Sequence, residues 1–134
     1  MNLVLDGNLM EKIVAHARSM YPNEGCGLLA GRENAATRFQ PITNRLASTT
    51  AFEMDPAEMI AAQRAFRECG ESLVAIYHSH PRGPATPSAA DIRQAYYPEA
   101  VYIIVSLASA ESPAVRGFRI VDGSVTEIEL HVIV

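Results

Sequence analysis

The stretch Tyr77–Asp91, YHSHPRGPATPSAAD, concentrates polar side chains of very different kinds in one short segment. It begins with two histidines, His78 and His80, continues through a loop with three prolines, and ends with Ser88 three positions before Asp91. Two interpretations fit these letters equally well. The segment is either a metal site assembled at the end of a strand, or simply a strand end, a stiff loop and a capped helix.

The two histidines continue a predicted strand that starts at Leu73 and is rich in β-branched and apolar residues. Side chains alternate between the faces of a strand, so His78 and His80 project to the same side, about 6–7 Å apart along the strand. Pro81 follows at once and allows the strand end to bend, which brings the two imidazoles within reach of one ion. Asp91 can add a carboxylate, and two histidines with a carboxylate suit a catalytic zinc that keeps a water as its fourth ligand.

The competing interpretation needs no function. Ser88 and Asp91 match the capping box S-x-x-[DE] at the start of a helix, and an isolated pair of histidines occurs in many proteins without metal. A metal-bound water also needs a base, for which Glu24 is the candidate because it directly precedes the apolar strand GCGLLAG. A solvated glutamate at a strand end is the simpler explanation of that residue. Only the joint pattern favours a site, because a helix cap requires neither the histidines nor the proline loop.

The rest of the chain alternates irregularly between helical and strand patterns, and the Asp122–Gly123 turn predicts a C-terminal hairpin. We therefore predict an α+β fold, sandwich-like, with a mixed and largely antiparallel sheet and flanking helices. The predicted elements are a helix Leu9–Met20 capped by Asn8, strands over Glu24–Gly31 and from Ala36, a helix after Asp55 and Pro56 with Glu58 completing a capping box and Gly70 at its end, a strand Leu73–His80, a short helix Ser88–Tyr97, a strand from Ala100, and two strands after Ala114.

The composition restricts the function classes. The 134 residues fit one domain, 1–134, and the net charge of −4 without a stripe of clustered basic residues argues against nucleic-acid binding. No apolar run has the length of a membrane span, and the N-terminus lacks a signal-like segment, so we expect a cytoplasmic protein with no membrane contact. Two cysteines do not make a disulfide framework. A homodimer is one possible assembly.

The other two histidines are not expected to take part in a metal site. His16 lies in the first predicted helix, where we expect it on the solvated face, and nothing near His131 supports a ligand role. Cys26 is expected to be a small, buried, apolar residue rather than a nucleophile.

At this point the residues resemble a known family. The pattern H-x-H, ten residues and D, with S three positions before the D and a glutamate upstream, is similar to the motif of the JAMM (MPN+, Mov34-type) metalloproteases. The resemblance extends over nearly the whole chain, and all five motif positions are present as Glu24, His78, His80, Ser88 and Asp91. It implies the MPN/JAMM fold, which is cytidine-deaminase-like.

The resemblance also implies a mechanism and a substrate class. The residues matching His78, His80 and Asp91 bind Zn²⁺ in the family, the one matching Glu24 takes a proton from the bound water and passes it to the leaving amine, and the one matching Ser88 stabilises the oxyanion. The chain is short and most resembles bacterial members. Some of these remove an amino acid or short extension after the C-terminal Gly-Gly of a ubiquitin-like or sulfur-carrier protein, as in cysteine biosynthesis.

Two other functions remain open from the sequence. A non-catalytic MPN-type protein-binding module has the same fold, although family members without catalysis usually lack the ligands that are present here. A zinc deaminase acting on a small molecule uses a P-C-x-x-C element for two of its ligands, and this sequence has no CxxC.

Overall fold

A computed structural model describes residues 2–109 and 111–134. Within these residues the chain forms seven strands and three helices. In chain order they are β1 Asn2–Asp6, α1 Gly7–Met20, β2 Cys26–Arg32, β3 Ala35–Ile42, α2 Pro56–Glu68, β4 Ser72–His80, α3 Ala89–Arg93, β5 Val101–Ser106, β6 Ala114–Val121 and β7 Ser124–Ile133.

The strands follow the order β1-β3-β2-β4-β5-β6-β7 and close into a barrel. Three neighbouring pairs, β1–β3, β1–β7 and β4–β5, are parallel, and the remaining four are antiparallel. The predicted mixed sheet with helices is therefore confirmed. The predicted sandwich-like arrangement is wrong, because β1 pairs with both edges of the sheet and joins them.

Strand β1 was missing from the sequence-based prediction. It is short, and only Leu3 and Leu5 point into the core. Its parallel pairing with β7 joins the two ends of the chain, from Asn2 opposite Glu129 to Asp6 opposite Ile133. Because both partners of β1 lie far away in sequence, no local pattern shows this closure.

The central strands β2, β4 and β5 are buried on both faces, and each face has its own apolar cluster. Tyr77 of β4 belongs to the cluster that includes Ile13 of α1, whereas Ile76 belongs to the cluster that includes Phe66 of α2. The two histidines at the end of β4 are an even number of residues from Ile76, so they lie on the α2 face.

The helix starts agree with the prediction only in part. Helix α1 begins after Asp6, whose carboxylate accepts the Leu9 N–H at 2.7 Å, so the predicted cap Asn8 is wrong and lies inside the helix. Asp55 caps α2 as predicted. The Glu58 carboxylate does not complete a capping box, because it accepts the Thr43 N–H at 2.9 Å instead.

The turn and the end of the short helix show how local and tertiary signals differ. Asp122 and Gly123 both have positive φ, 50° and 78°, as a two-residue type I′ hairpin turn requires, which confirms the predicted hairpin. Helix α3 ends at Arg93, earlier than predicted, and the Tyr97 N–H donates to the Tyr102 hydroxyl at 3.0 Å instead of continuing the helix. No helix among the described residues is long and apolar enough to cross a membrane.

Candidate active site

The end of β4 brings two imidazoles together on the α2 face. His78 is fully buried between Cys26 of β2 and Ile104 of β5, and its Nε2 lies 3.0 Å from Nε2 of His80. Phe52 stacks on the His78 ring, with the centroids 4.5 Å apart and the planes at 22°. The strand thus fixes the spacing of the two rings, and the packing fixes the orientation of the first.

The capping box of α3 places the carboxylate. Ser88 Oγ accepts the Asp91 N–H at 3.1 Å, and Asp91 Oδ2 accepts the Ser88 N–H at 2.9 Å, so both halves of the box are formed. The same Oδ2 lies 3.2 Å from His78 Nε2 and 3.1 Å from His80 Nε2. The capping interpretation is therefore confirmed for Asp91, and the helix cap aims its carboxylate at the two histidines, as the metal interpretation expects.

The three facing atoms have the spacing of metal ligands. Their separations of 3.0, 3.1 and 3.2 Å are close to the roughly 3.3–3.4 Å between ligand atoms around a tetrahedral zinc with bonds of about 2.0–2.1 Å. His78, His80 and Asp91 form the one group of this kind found among the described residues. The donor set fits zinc in both chemistry and size.

The position of the proton on the His80 ring supports a cation between His80 and Asp91. His80 Nδ1 lies 2.7 Å from the Pro84 carbonyl oxygen, which can only accept a hydrogen bond, so Nδ1 carries a proton and donates it. A neutral His80 then presents the lone pair of its Nε2 to the Asp91 carboxylate. Two acceptors at 3.1 Å repel each other unless a cation or an extra proton lies between them. The proline loop thus sets the tautomer that a metal ligand needs.

The pKa values of His78, His80 and Asp91 in the metal-free protein show that these three residues strongly affect one another. Burial lowers the pKa of His78 and outweighs the effect of Asp91. Burial also acts to lower the pKa of His80, but hydrogen bonds to Asp91 and Pro84 outweigh it and leave that pKa raised. Burial acts to raise the pKa of Asp91, yet the bonds to both histidines hold it well below its usual range. His78 Nδ1 is buried and has no hydrogen-bond partner within 2–109 and 111–134.

Glu24 lies two residues before β2, and its carboxylate interacts electrostatically with His80 and Asp91 of this group. It is only 4% exposed, and burial, with a smaller contribution from the charge of Asp91, raises its pKa to about 7 although His80 opposes the shift. The neighbouring Gly25 is bound to β4, because its N–H donates to Ser79 Oγ at 2.8 Å and its carbonyl accepts the Ser79 N–H at 2.9 Å. Ser79 lies between the two histidines, so the segments carrying Glu24 and the imidazoles are held together.

Sequence reasoning gave no account of Phe52 and placed His16 wrongly. Phe52, which stacks on His78, has no recognisable signal because its segment is irregular and distant in sequence. His16 was expected on a solvated face, and this is wrong. It is half-buried, with Nδ1 3.1 Å from the Tyr77 hydroxyl and its ring edge-on to Phe39, and burial lowers its pKa. The spacing Ile13, His16 could have shown that His16 faces the sheet.

Cys26 is buried at the start of β2, as expected, and its thiol donates to the Ile42 carbonyl oxygen at 3.3 Å. Burial, assisted by the negative charge of Glu24, raises its pKa to about 12. The thiol therefore stays protonated at neutral pH, which excludes the thiolate that a cysteine protease needs.

A cavity of about 410 Å³ opens next to Asp91. Its wall is mostly apolar or aromatic and includes Phe52, Met54, Met59, Tyr96, Tyr97 and Tyr102.

Ser88 is exposed at the start of α3. Its oxygen accepts the Asp91 N–H in the helix cap, and a hydroxyl oxygen that accepts a hydrogen bond can still donate its own proton to another.

The barrel with a His-His-Asp group at a strand end defines a JAB-type domain. The sequence model described as prokaryotic homologs of the JAB domain matches residues 7–121, so the chain belongs to this family. The resemblance to JAMM/MPN proteins that the five-residue motif indicates is thereby confirmed.

Three relatives with assigned functions are similar to this chain over most of its length. The chain is 40% identical over 133 residues to the CysO-cysteine peptidase of Mycobacterium tuberculosis, covering 98% of this chain and 91% of that one. It is 38% identical over 122 residues to a probable TtuB-protein conjugate cleaving protease of Thermus thermophilus, covering 90% and 78%. It is 37% identical over 111 residues to a desampylase of Haloferax volcanii, covering 78% and 80%.

Solved structures agree with the fold. A protein of Desulfitobacterium hafniense, solved in solution, superposes with a TM-score of 0.90 at 39% identity, covering 98% of this chain and 92% of that one. A JAMM protein described as carrying a metalloprotease-like zinc site superposes with a TM-score of 0.65 at 19% identity over the full length of both chains, which supports the fold alone.

Proposed function

We propose that this protein is a zinc-dependent peptidase that hydrolyses the bond after the C-terminal Gly-Gly of a ubiquitin-like or sulfur-carrier protein. The observation that carries the proposal is the convergence of His78 Nε2, His80 Nε2 and Asp91 Oδ2 within 3.0–3.2 Å of one another, beside a buried glutamate. Peptidase relatives with 37–40% identity support the reaction class.

In this proposal His78, His80 and Asp91 hold the ion, and the Pro84 carbonyl and the Ser88 N–H orient two of these ligands. Zinc, when bound, supplies Lewis acidity that lowers the pKa of a coordinated water and polarises the scissile carbonyl. The side chains of this protein carry out the remaining tasks, which are proton transfer and stabilisation of the oxyanion.

Glu24 moves the proton. Its carboxylate accepts the proton of the attacking water and donates it to the leaving amine. Burial raises the pKa of Glu24 to about 7 in the metal-free protein, and this shift moves the pKa toward the working pH, where a general base and acid is most effective. The Ser88 hydroxyl donates a hydrogen bond to the oxyanion that forms from the scissile carbonyl, a contribution of about 3–4 kcal/mol for a single donor.

The substrate class is the finer part of the proposal. A relative that covers 98% of this chain is named a CysO-cysteine peptidase, which supports the proposal that the bond cleaved here joins Gly-Gly of a carrier to a single amino acid or short extension. Such a reaction has a place in cysteine biosynthesis. A glycine pair has no side chains to clash with a buried metal centre. Cytoplasmic location, a homodimer and the absence of nucleic-acid binding stay predictions.

The test uses a sulfur-carrier protein extended by one cysteine after Gly-Gly, incubated with the zinc-loaded protein and followed by intact mass spectrometry. We expect loss of the mass of one cysteine, inhibition by a zinc chelator and recovery on adding zinc. Cleavage that a chelator leaves unchanged contradicts the mechanism. A protein purified from zinc-replete medium without bound zinc and without cleavage favours the non-catalytic binding module.

A further inference from the structure

Asn44 has a buried side chain whose amide uses its full hydrogen-bonding capacity. Its Nδ2 donates to the carbonyl oxygens of Glu24 at 3.0 Å and Ala51 at 3.1 Å. Its Oδ1 accepts the N–H groups of Leu46 and Glu53, both at 3.1 Å. Two donors and two acceptor sites are all that an asparagine side chain offers, and the residue is only 6% exposed.

Three of these four bonds close the connection between β3 and α2, which we call the 43–55 loop. The loop is a small hairpin, with Asn44 opposite Met54 and the Arg45 N–H bound to the Glu53 carbonyl at 2.8 Å. It also carries Phe52, which stacks on His78. Asn44 therefore ties together a loop that reaches the metal group.

The fourth bond joins this loop to the proposed base. Glu24 precedes the first paired residue of β2, Cys26, and lies outside the ladder that β2 forms with its neighbours. Its main chain is held by the loop on both sides, because its N–H donates to the Ser48 carbonyl at 2.8 Å and its carbonyl accepts from Asn44. The backbone of Glu24 thus depends on the loop for hydrogen bonds that a strand would otherwise supply.

We propose that Asn44 is a positioning residue for Glu24, in the sense that its amide fixes the main chain from which the Glu24 carboxylate reaches the reacting water. This rests on the proposed function of Glu24. The residue acts through Glu24, because the four hydrogen bonds of its side chain all go to main-chain atoms and none to His78, His80 or Asp91.

The test compares Asn44→Ala with Arg45→Ala, both as zinc-loaded full-length protein. Asn44→Ala is expected to lower kcat by roughly 10–100-fold, as a misplaced catalytic group does, with little change in KM and with bound zinc unchanged. Arg45→Ala removes an exposed ion pair with Glu53 in the same loop but no bond to Glu24, and is expected to leave kcat at the wild-type value.

A double-mutant cycle separates positioning from a general loss of stability. If Asn44 acts through Glu24, adding Asn44→Ala to Glu24→Gln changes the residual rate by less than about twofold, because the group being positioned is already lost. Independent, multiplying effects on the rate overturn the proposal.

A second variant covers the case in which Asn44→Ala fails to fold. Asn44→Asp keeps the oxygen that accepts from Leu46 and Glu53 but has no donor for the carbonyls of Glu24 and Ala51, so kcat falls while two of the three bonds that close the loop remain. Amide hydrogen exchange gives a readout that needs no substrate: in Asn44→Asp the Glu24 N–H exchanges at least about tenfold faster, and the Ile103 N–H in β5 is unchanged. Wild-type kcat and Glu24 exchange in Asn44→Asp overturn the proposal. If the wild-type protein cleaves no carrier, the proposed function fails, and the exchange experiment still decides the role of Asn44.

Discussion

The metal corner, residues 78–91, and the base region, Glu24 with the 43–55 loop, build the same site in opposite ways. In the corner the hydrogen bonds that orient His80 and Asp91 are local, since His80 bonds Pro84 four residues away and Asp91 bonds Ser88 three residues away. In the base region the contacts join distant segments, with Asn44 bonding Glu24 across 20 residues and Gly25 bonding Ser79 across 54. Local sequence motifs therefore orient the proposed ligands, whereas the tertiary fold positions the proposed base.

The most damaging expected change lies in the corner. Asp91→Ala removes one of the three proposed ligands and also one half of the capping box. We expect zinc affinity to fall by more than about 100-fold, because losing only a hydrogen-bond partner of a ligand already costs about 10–100-fold. Peptidase activity is then lost. Metal analysis after dialysis and a carrier-cleavage assay check both expectations.

Asp91→Asn provides the matched control. Its amide oxygen can still accept the Ser88 N–H, so the melting temperature of the metal-free protein should stay near the wild-type value, although the amide is a poor ligand and zinc is still lost. Full zinc occupancy in Asp91→Ala would show that Asp91 is not a ligand and that helix capping is its entire role.

Glu24→Gln is the equivalent change in the base region. Zinc is expected to stay bound, because Glu24 makes none of the three ligand contacts, while kcat falls by roughly 10²–10⁴-fold, the usual contribution of a general acid-base group. Zinc content and single-turnover cleavage measure the two effects on the same sample. Wild-type kcat in this variant would assign proton transfer to another group.

Ser88→Ala tests the residue that serves both structure and chemistry. As an oxyanion donor, Ser88 should contribute roughly 10²–10³-fold to kcat, and as a helix cap about 1 kcal/mol to the free energy of unfolding, with zinc retained in both cases. Ser88→Thr keeps the hydroxyl and restores both quantities in large part. If Ser88→Ala lowers only the melting temperature, capping is the entire role of this residue.

The difference between the two regions explains what could be predicted from the sequence. The ligands His78, His80 and Asp91 come together as the HxH spacing and the capping box indicate, because strand alternation and helix capping act over a few residues. The same local rules gave the Asp122–Gly123 turn. They could not give strand β1, the barrel closure or Asn44, since each depends on partners brought close only by folding.

The pH dependence of kcat/KM tests the base region alone, because it follows the titration of Glu24. Glu24 must be ionised to accept a proton, and its pKa is about 7 without metal. A bound divalent cation lowers that value, so activity should fall tenfold per pH unit on the acid side of a midpoint at or below about pH 7. The zinc content is measured at each pH. If zinc stays bound while activity falls, the fall reflects protonation of Glu24 and not loss of metal through protonation of the ligands. The residual rate of Glu24→Gln should lack the limb, and its persistence there would contradict the assignment.

The smallest expected effect compares one glycine from each region. A Cβ on Gly25 would stand 2.7 Å from the hydroxyl of the fully buried Tyr77 and 3.2 Å from His16 Nδ1, so Gly25→Ala forces packed groups apart and should cost about 1–3 kcal/mol of unfolding free energy. A Cβ on Gly83 in the proline loop would come no closer than 3.8 Å to His80, so Gly83→Ala should stay within about 0.5 kcal/mol. Urea unfolding of the two metal-free variants decides the matter. Equal losses would mean that the corner is packed as tightly as the base region and that its local hydrogen bonds do not suffice to hold it.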